Sequence, residues 1–428
     1  MATEKRRAKA VETVETSGGA AQYLSETPAP GDTDPEAVAG PEAGGEGTPD
    51  VPLPAGADDE DARFEAEHDD EDAEGEEQAL ACHELLLLMA GKIPDQLITQ
   101  CRAWLAEGRR TEVGSALAFA AAGAKVPLRA EDIDLLEELL NEADADTRVL
   151  EDIDEAEYEA LPRYRFELTP DAEPRLSGPV SDETDAAVMA GCEDTDGAVG
   201  MWRTWRLPPA GAPWPPPRRV YVVEVEAVDQ LIGATAHLQS VLSAVGEQDP
   251  QVEVYPTGVK LPSYQQYARN TSDLLWAASD DPGIDLVAVF DGVDPEVGPI
   301  FRTDHPRAAD DEERYRMLAY LAAGSPLLLT TARMDDVVDR DLGTVVPMSY
   351  RTDGFWIWSD ASAYYLETHG LLPAPELTEQ MRSVGFTPPL VDGVSLHRAM
   401  VALTRPVDES PAWTYDGSSS GGVSAGVK

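Results

Sequence analysis

"RVYVVEVEAVDQLIGATAHLQSVLSAVGEQDPQVEVYP", Arg219 to Pro256, is the stretch that sets the fold class. "RVYVVEV" is a β-branched apolar run and reads as a strand. From Ala227 the apolar residues recur with helical period until Gly246, and "QVEVYP" returns to a short strand. The same alternation continues downstream. "PSYQQYARNTSDLLWAAS" (262–279) reads as a helix opened by Pro262, and "IDLVAVFDG" (284–292) as a third strand, apolar enough to be buried on both faces. "DEERYRMLAYLAAG" (311–324) reads as another helix and "PLLLTTA" (326–332) as a fourth strand. "TVVPMSYRTDGFWIW" (344–358) then reads as a hairpin or strand-turn-strand. Regular alternation of strand and helix predicts an α/β fold: an open, mostly parallel, doubly wound sheet over residues 218–406, with the strand order undetermined.

Upstream of this region, the periodicity predicts a small helical bundle over residues 78–142. "IPDQLITQCRAWLAEG" carries Leu97, Ile98, Cys101, Trp104 and Leu105 on one face, with Pro94 at its start and Gly108 at its end. "CHELLLLMAG", "EVGSALAFAAAG" and "AEDIDLLEELLNEA" supply three more short helices. Residues 143–217 read as an acidic connector that runs into a Trp- and Pro-rich segment. Within it "RYRFELTP" is a short strand, and Trp202, Trp205 and Trp214 are expected to pack on the proline run. Residues 1–77 are rich in Pro, Gly, Asp and Glu and predict a disordered acidic tail, and residues 407–428 a Ser- and Gly-rich one. Trp413 and Tyr415 in that last segment form a candidate docking motif.

The chain of 428 residues has 81 acidic and 32 basic side chains, for a net charge of −49. Residues 21–80 hold 20 acids against one base, and residues 131–160 hold 14 against one. Phosphate-backbone binding needs clustered Lys and Arg, and "EKRRAK" near the N-terminus is too short, so direct nucleic-acid binding is disfavoured. A solubilising tail, a basic protein partner and mimicry of nucleic acid each fit the acid runs. No apolar run reaches the ~20 residues needed to span a bilayer, and a charged N-terminus replaces a signal peptide's apolar core. Three cysteines are an odd count for a disulfide framework, and together these features predict a cytoplasmic protein.

Open α/β sheets place their sites beyond the carboxyl ends of their strands. Applied to the third and fourth strands, this rule selects Asp291, Asp294, Thr330, Thr331 and Arg333 as crevice residues. A carboxylate there can hold Mg²⁺, act as a base, or cap a turn. No G-x-G-x-x-G follows the first strand, and no G-x-x-x-x-G-K-[ST] or G-x-S-x-G occurs, so no cofactor is expected. The second candidate is "YRTDGFWIWSDASAYYLETHG" (350–370), where Thr352-Asp353-Gly354 signals a hairpin turn. Alternation puts Phe355 and Ile357 on one face and Trp356 and Trp358 on the other. One face can serve as core and the other can line a partner groove, with Arg351 and Asp353 at its rim.

"CHELLLLMAGKIPDQLITQCRAWLAEG", "PWPPPRRVYVVEV" and "YRTDGFWIWSDASAYYLETHGLLPAPEL" resemble segments of uncharacterised proteins of high-GC actinobacteria. The resemblance spans about residues 80–405 and implies no established activity, so it assigns no catalytic residue. The expectation is a non-catalytic interaction or regulatory protein with a protein partner. The alternative is a hydrolase or transferase that uses the aspartate-lined crevice, with or without Mg²⁺.

Overall fold

The computed structural model describes residues 58–405 apart from 160, 171–180, 210, 211 and 213, with side chains placed from residue 73 onward. Of the segments expected to be tails, 1–77 and 407–428, residues 1–57 and all of 407–428, with Trp413 and Tyr415, lie outside the described residues, as does residue 406. Helix α1 runs from Asp58 to Met89, so the acid-rich residues 58–77, expected in the tail, are helical. α2 (Asp95–Ala106), α3 (Arg110–Ala124) and α4 (Ala130–Glu142) follow. They close with α1 on a core of Leu85, Ile98, Cys101, Leu117, Leu136 and Leu139, all fully buried.

Next come β1 (Arg165–Glu167), α5 (Glu183–Glu193), β2 (Ala198–Leu207), β3 (Arg218–Val225), α6 (Leu231–Ala244), β4 (Gln251–Pro256), α7 (Ser263–Asn270) and β5 (Asp273–Ala277). β3 and β4 are parallel and joined through α6, which is the expected βαβ unit. β2 lies antiparallel to β3 and at its other edge pairs with both β1 and β5. The sheet is therefore mixed and small, not the open, mostly parallel sheet expected. The helix expected over 262–279 stops at Asn270 because Asp273–Ala277 joins β2 as a strand; a short apolar run such as Leu274-Leu275-Trp276 suits either structure until a partner selects one.

Alternation sorts the sheet's residues cleanly. Met201, Tyr221, Val223, Val252 and Val254 pack under α5 and α6. Trp202, Val220, Val222 and Tyr255 pack on the other face with Tyr264 and Ala268 of α7. Trp202 is thus core, Trp205 lies under the Arg219 guanidinium, and Trp214 is 75% exposed, so the three tryptophans do not close over the prolines as expected.

The remaining chain forms β6 (Asp285–Leu286), β7 (Gly292–Asp294), β8 (Gly298–Ile300), α8 (Asp311–Ala323), β9 (Ser325–Leu328), β10 (Arg333–Asp335), β11 (Thr344–Pro347), β12 (Tyr350–Thr352), β13 (Trp356–Ser359), α9 (Asp360–His369), α10 (Pro375–Ser383) and α11 (Gly393–Thr404). A second mixed sheet has the order β6-β13-β12-β9, with only β6 and β13 parallel. The expected third strand, 284–292, shrinks to two residues because Val289 and Phe290 leave the sheet to pack with Val346, Tyr365 and Leu371. α8, α9 and α10 cover one face around Trp358, and α11 covers the other around Ile357. α11 reaches both sheets, with Val394 in the core beside Trp202 and Ala399 beside Ile357.

Candidate functional site

β3 and β4 end side by side at Val225 and Pro256, and the chain leaves them through Glu226 and Thr257. Beyond these carboxyl ends opens a crevice of about 430 Å³. Its walls come from the start of β2 (Ala198, Val199), the segment after β5 (Ala278, Ser279) and the entry to α11 (Leu390, Asp392). This is where the ends of parallel strands leave room for a ligand. The location rule used on the sequence is the same, but here it acts on the first two strands of the run instead of the third and fourth.

Most polar groups around the crevice hold the backbone. Asp392 is the N-cap of α11 and accepts from the Ser395 amide at 2.6 Å. The Thr257 hydroxyl donates to the Val225 carbonyl, and Ser279 Oγ accepts from Arg398 at 3.0 Å. Below the floor lies Glu224, 1% exposed, whose Oε2 accepts from the Gly393 amide at 2.7 Å and from the Tyr255 hydroxyl at 3.3 Å. Burial raises its pKa, and the Arg269 charge works against that rise. Arg269 spreads over the Trp202 and Tyr255 rings, 4.9 and 5.7 Å from their centroids, and donates to the Gly393 carbonyl. A side chain at Gly393 would collide with both partners: its Cβ would lie 2.3 Å from Glu224 Oε2 and 2.5 Å from an Arg269 nitrogen. His397, edge-on to Trp202, is held below its ordinary pKa by burial and by Arg269.

No known family, curated protein or solved structure matches this chain.

The residues selected from sequence lie elsewhere, and all but the exposed Thr331 are engaged by local partners. Asp291 Oδ2 accepts from the Arg302 amide at 2.7 Å and pairs with His305 Nδ1 at 2.9 Å, while His305 Nε2 meets the Leu372 carbonyl. Asp294 Oδ1 caps the turn between β7 and β8 by accepting from the Glu296 and Val297 amides. Thr330 accepts from the Ala332 amide, Thr331 is exposed, and Arg333 donates to the Val345 carbonyl. None of these residues lines the crevice. Among the described residues, no group of three or more His, Cys, Asp or Glu side chains is placed to hold a metal ion.

The aromatic hairpin forms as its turn residues dictate. Gly354 has φ +87°, and Asp353 Oδ1 accepts from the Phe355 and Trp356 amides at 2.9 and 2.7 Å. Asp353 is 1% exposed and also accepts from the Tyr320 hydroxyl, so it is interior and not at a rim. Arg351 pairs with Asp360 and donates to the Ala322 and Gly324 carbonyls. Trp358 is fully buried, and its indole N–H donates to the Leu321 carbonyl. Trp356 is half-buried against the same core. The groove expected along Trp356 and Trp358 is therefore filled by α8, α9 and α10, which cover the face that one sheet layer would have left open.

Glu226, Thr257 and Asp392 were missed. The carboxyl-edge rule, applied to "RVYVVEVE" and "QVEVYPT", would have reached the first two. Asp392 carries only the spacing of an N-cap, Asp392 to Ser395, which points to a helix start and says nothing of the crevice beside it.

Proposed function

We propose that the protein acts by binding, as a non-catalytic interaction or regulatory protein, and that the crevice beyond β3 and β4 receives its protein partner. The supporting observation is the division of labour around that crevice. Asp392, Thr257, Ser279 and the buried Glu224 are held by backbone or arginine partners, so they hold the shape of the crevice. Glu226 is left as an exposed carboxylate lining the same crevice as Leu390, which is 73% exposed. A carboxylate beside an apolar side chain suits a basic residue flanked by an apolar one on a partner surface. The alternative, a hydrolase or transferase using Asp291 and Asp294, draws less support, because both carboxylates already serve as local caps and His305 has both ring nitrogens engaged.

The test is capture of a partner from native lysate by wild type and by Glu226→Lys/Leu390→Glu, with circular dichroism to confirm folding. Both substitutions lie on the surface, so the variant is expected to fold and to lose the partner. A partner held equally well by the folded variant would remove the crevice as the docking site.

A further inference from the structure

A second concavity lies away from the crevice, where the turn after α1, the end of α3 and the lead into β1 meet over Tyr264. Its volume is about 140 Å³. An apolar cavity of about 150 Å³ holds one benzene molecule, so this space takes a single ring. Val126, Pro127, Leu161, Pro162 and the Tyr264 ring make an apolar lining. The fit around Tyr264 is close: Gly91 has φ +72°, and a Cβ there would lie 2.6 Å from that ring.

The charge of this concavity runs against the rest of the molecule. Acids outnumber bases 81 to 32 and the chain has six lysines, yet Lys92 and Lys125 both line this space together with Arg163. Glu159 is the acidic member of the lining, and both of its oxygens are engaged, one by Lys92 at 3.2 Å and one by the Ser263 amide at 2.7 Å. Lys125 and Arg163 are exposed and have no carboxylate within ion-pair distance among the described residues. Lys92 and Lys125 follow the last turns of α1 and α3, where a cation complements the helix carbonyls. That role does not extend to Arg163, which arrives from the lead into β1, nor to the convergence of three cations from three segments on one apolar hollow.

We propose that this concavity binds a small carboxylate with a ring-sized apolar body. The ring would sit on Tyr264 among Val126, Pro127 and Leu161, and the carboxylate would meet Lys125 and Arg163 at the rim. The site is separate from the crevice beyond β3 and β4 and does not depend on the function assigned to it.

The test is isothermal titration of the full chain with benzoate, and with benzamide and benzylamine as the neutral and cationic counterparts. Saturable one-to-one binding of benzoate is expected, with benzamide weaker by about tenfold, the value of a charge-assisted hydrogen bond, and benzylamine without binding. Lys125→Glu and Arg163→Glu should each weaken benzoate by about tenfold or more. Ala124→Phe, which fills the hollow and leaves the cations in place, should abolish binding. All three positions are exposed, and circular dichroism verifies each variant. Absence of saturable benzoate binding to wild type overturns the proposal, as does equal binding of benzamide. Benzoate binding unchanged by the charge reversals, or by Ala124→Phe, would place the ligand elsewhere and overturn it equally.

Discussion

Replacing Arg102 by Met removes one half of a buried ion pair. Arg102 donates to Glu253 Oε2 at 2.7 Å, and the two side chains are 1% and 0% exposed. Glu253 lies in the middle of β4 and Arg102 on α2, so the pair fastens the helical layer to the first sheet. Two neutral bonds reinforce the same seam: His83 Nε2 donates to the Val254 carbonyl and Gln265 Nε2 to the Leu87 carbonyl, both at 2.9 Å. With Arg102 gone, Glu253 keeps the Gln265 amide at 2.7 Å as its donor, and its Oε1 has no partner in the native protein either. A carboxylate left in that position without a counter-charge costs about 3–5 kcal/mol. Removing both charges eliminates the desolvation cost of each, so Arg102→Met/Glu253→Met is expected to be far closer to wild type than either single variant. The assay is a double-mutant cycle read by urea and thermal unfolding, and the expected coupling is about 2 kcal/mol or more. A loss of less than about 1 kcal/mol in Arg102→Met, or a double variant that loses the sum of the two singles, would refute the reasoning.

Three further outcomes are expected. Trp358→Ala should lower stability by about 3–5 kcal/mol in thermal unfolding, because the ring is fully buried among Met317, Tyr320 and Leu321; a loss under about 1 kcal/mol would show that it does not fill the core. Burial pushes the Cys82, Cys101 and Cys192 thiols up to about 12, so Ellman's reagent at pH 8 should label them only after unfolding in urea, and rapid labelling of the native protein would contradict this. Asp336 is opposed by burial, but His369, the Asp339 amide, the Tyr364 hydroxyl and the Val338 amide outweigh it and hold its carboxyl at about 2. Its contribution to stability is therefore complete above the ordinary value of 3.8 and is lost as pH falls through about 2. Asp336→Asn should flatten the dependence of Tm on pH in that acid range, and an unchanged slope would show that Asp336 does not carry it.

The short helices and the first βαβ unit are legible in the sequence because each rests on local chemistry. Pro94 opens α2 and Gly108 follows it, Ser359 caps α9 through the Ala361 amide, and Gly370 ends α9 in the left-handed conformation. The turn at Gly354 is legible for the same reason. Other assignments depended on neighbours that the sequence does not name. Leu274-Leu275-Trp276 became strand because β2 offered an unpaired edge, and β2 itself, inside a segment that read as connector, became the strand beside β3. "IDLVAVFDG" stayed mostly outside the sheets because its aromatic end packs beside Tyr365.

Local pattern by itself determined which segments coil, extend and turn, since capping, periodicity and positive φ act over a few residues. Only the tertiary structure decided which faces remain open. The tryptophans that promised a surface lie on the sheet face that α8, α9 and α10 cover, Trp358 fully and Trp356 in part. Glu226, Thr257 and Asp392 come to one crevice from positions up to 166 residues apart. Lys92, Lys125 and Arg163 meet in the same way, because burying the apolar faces of separate elements against one another sets where their polar ends emerge.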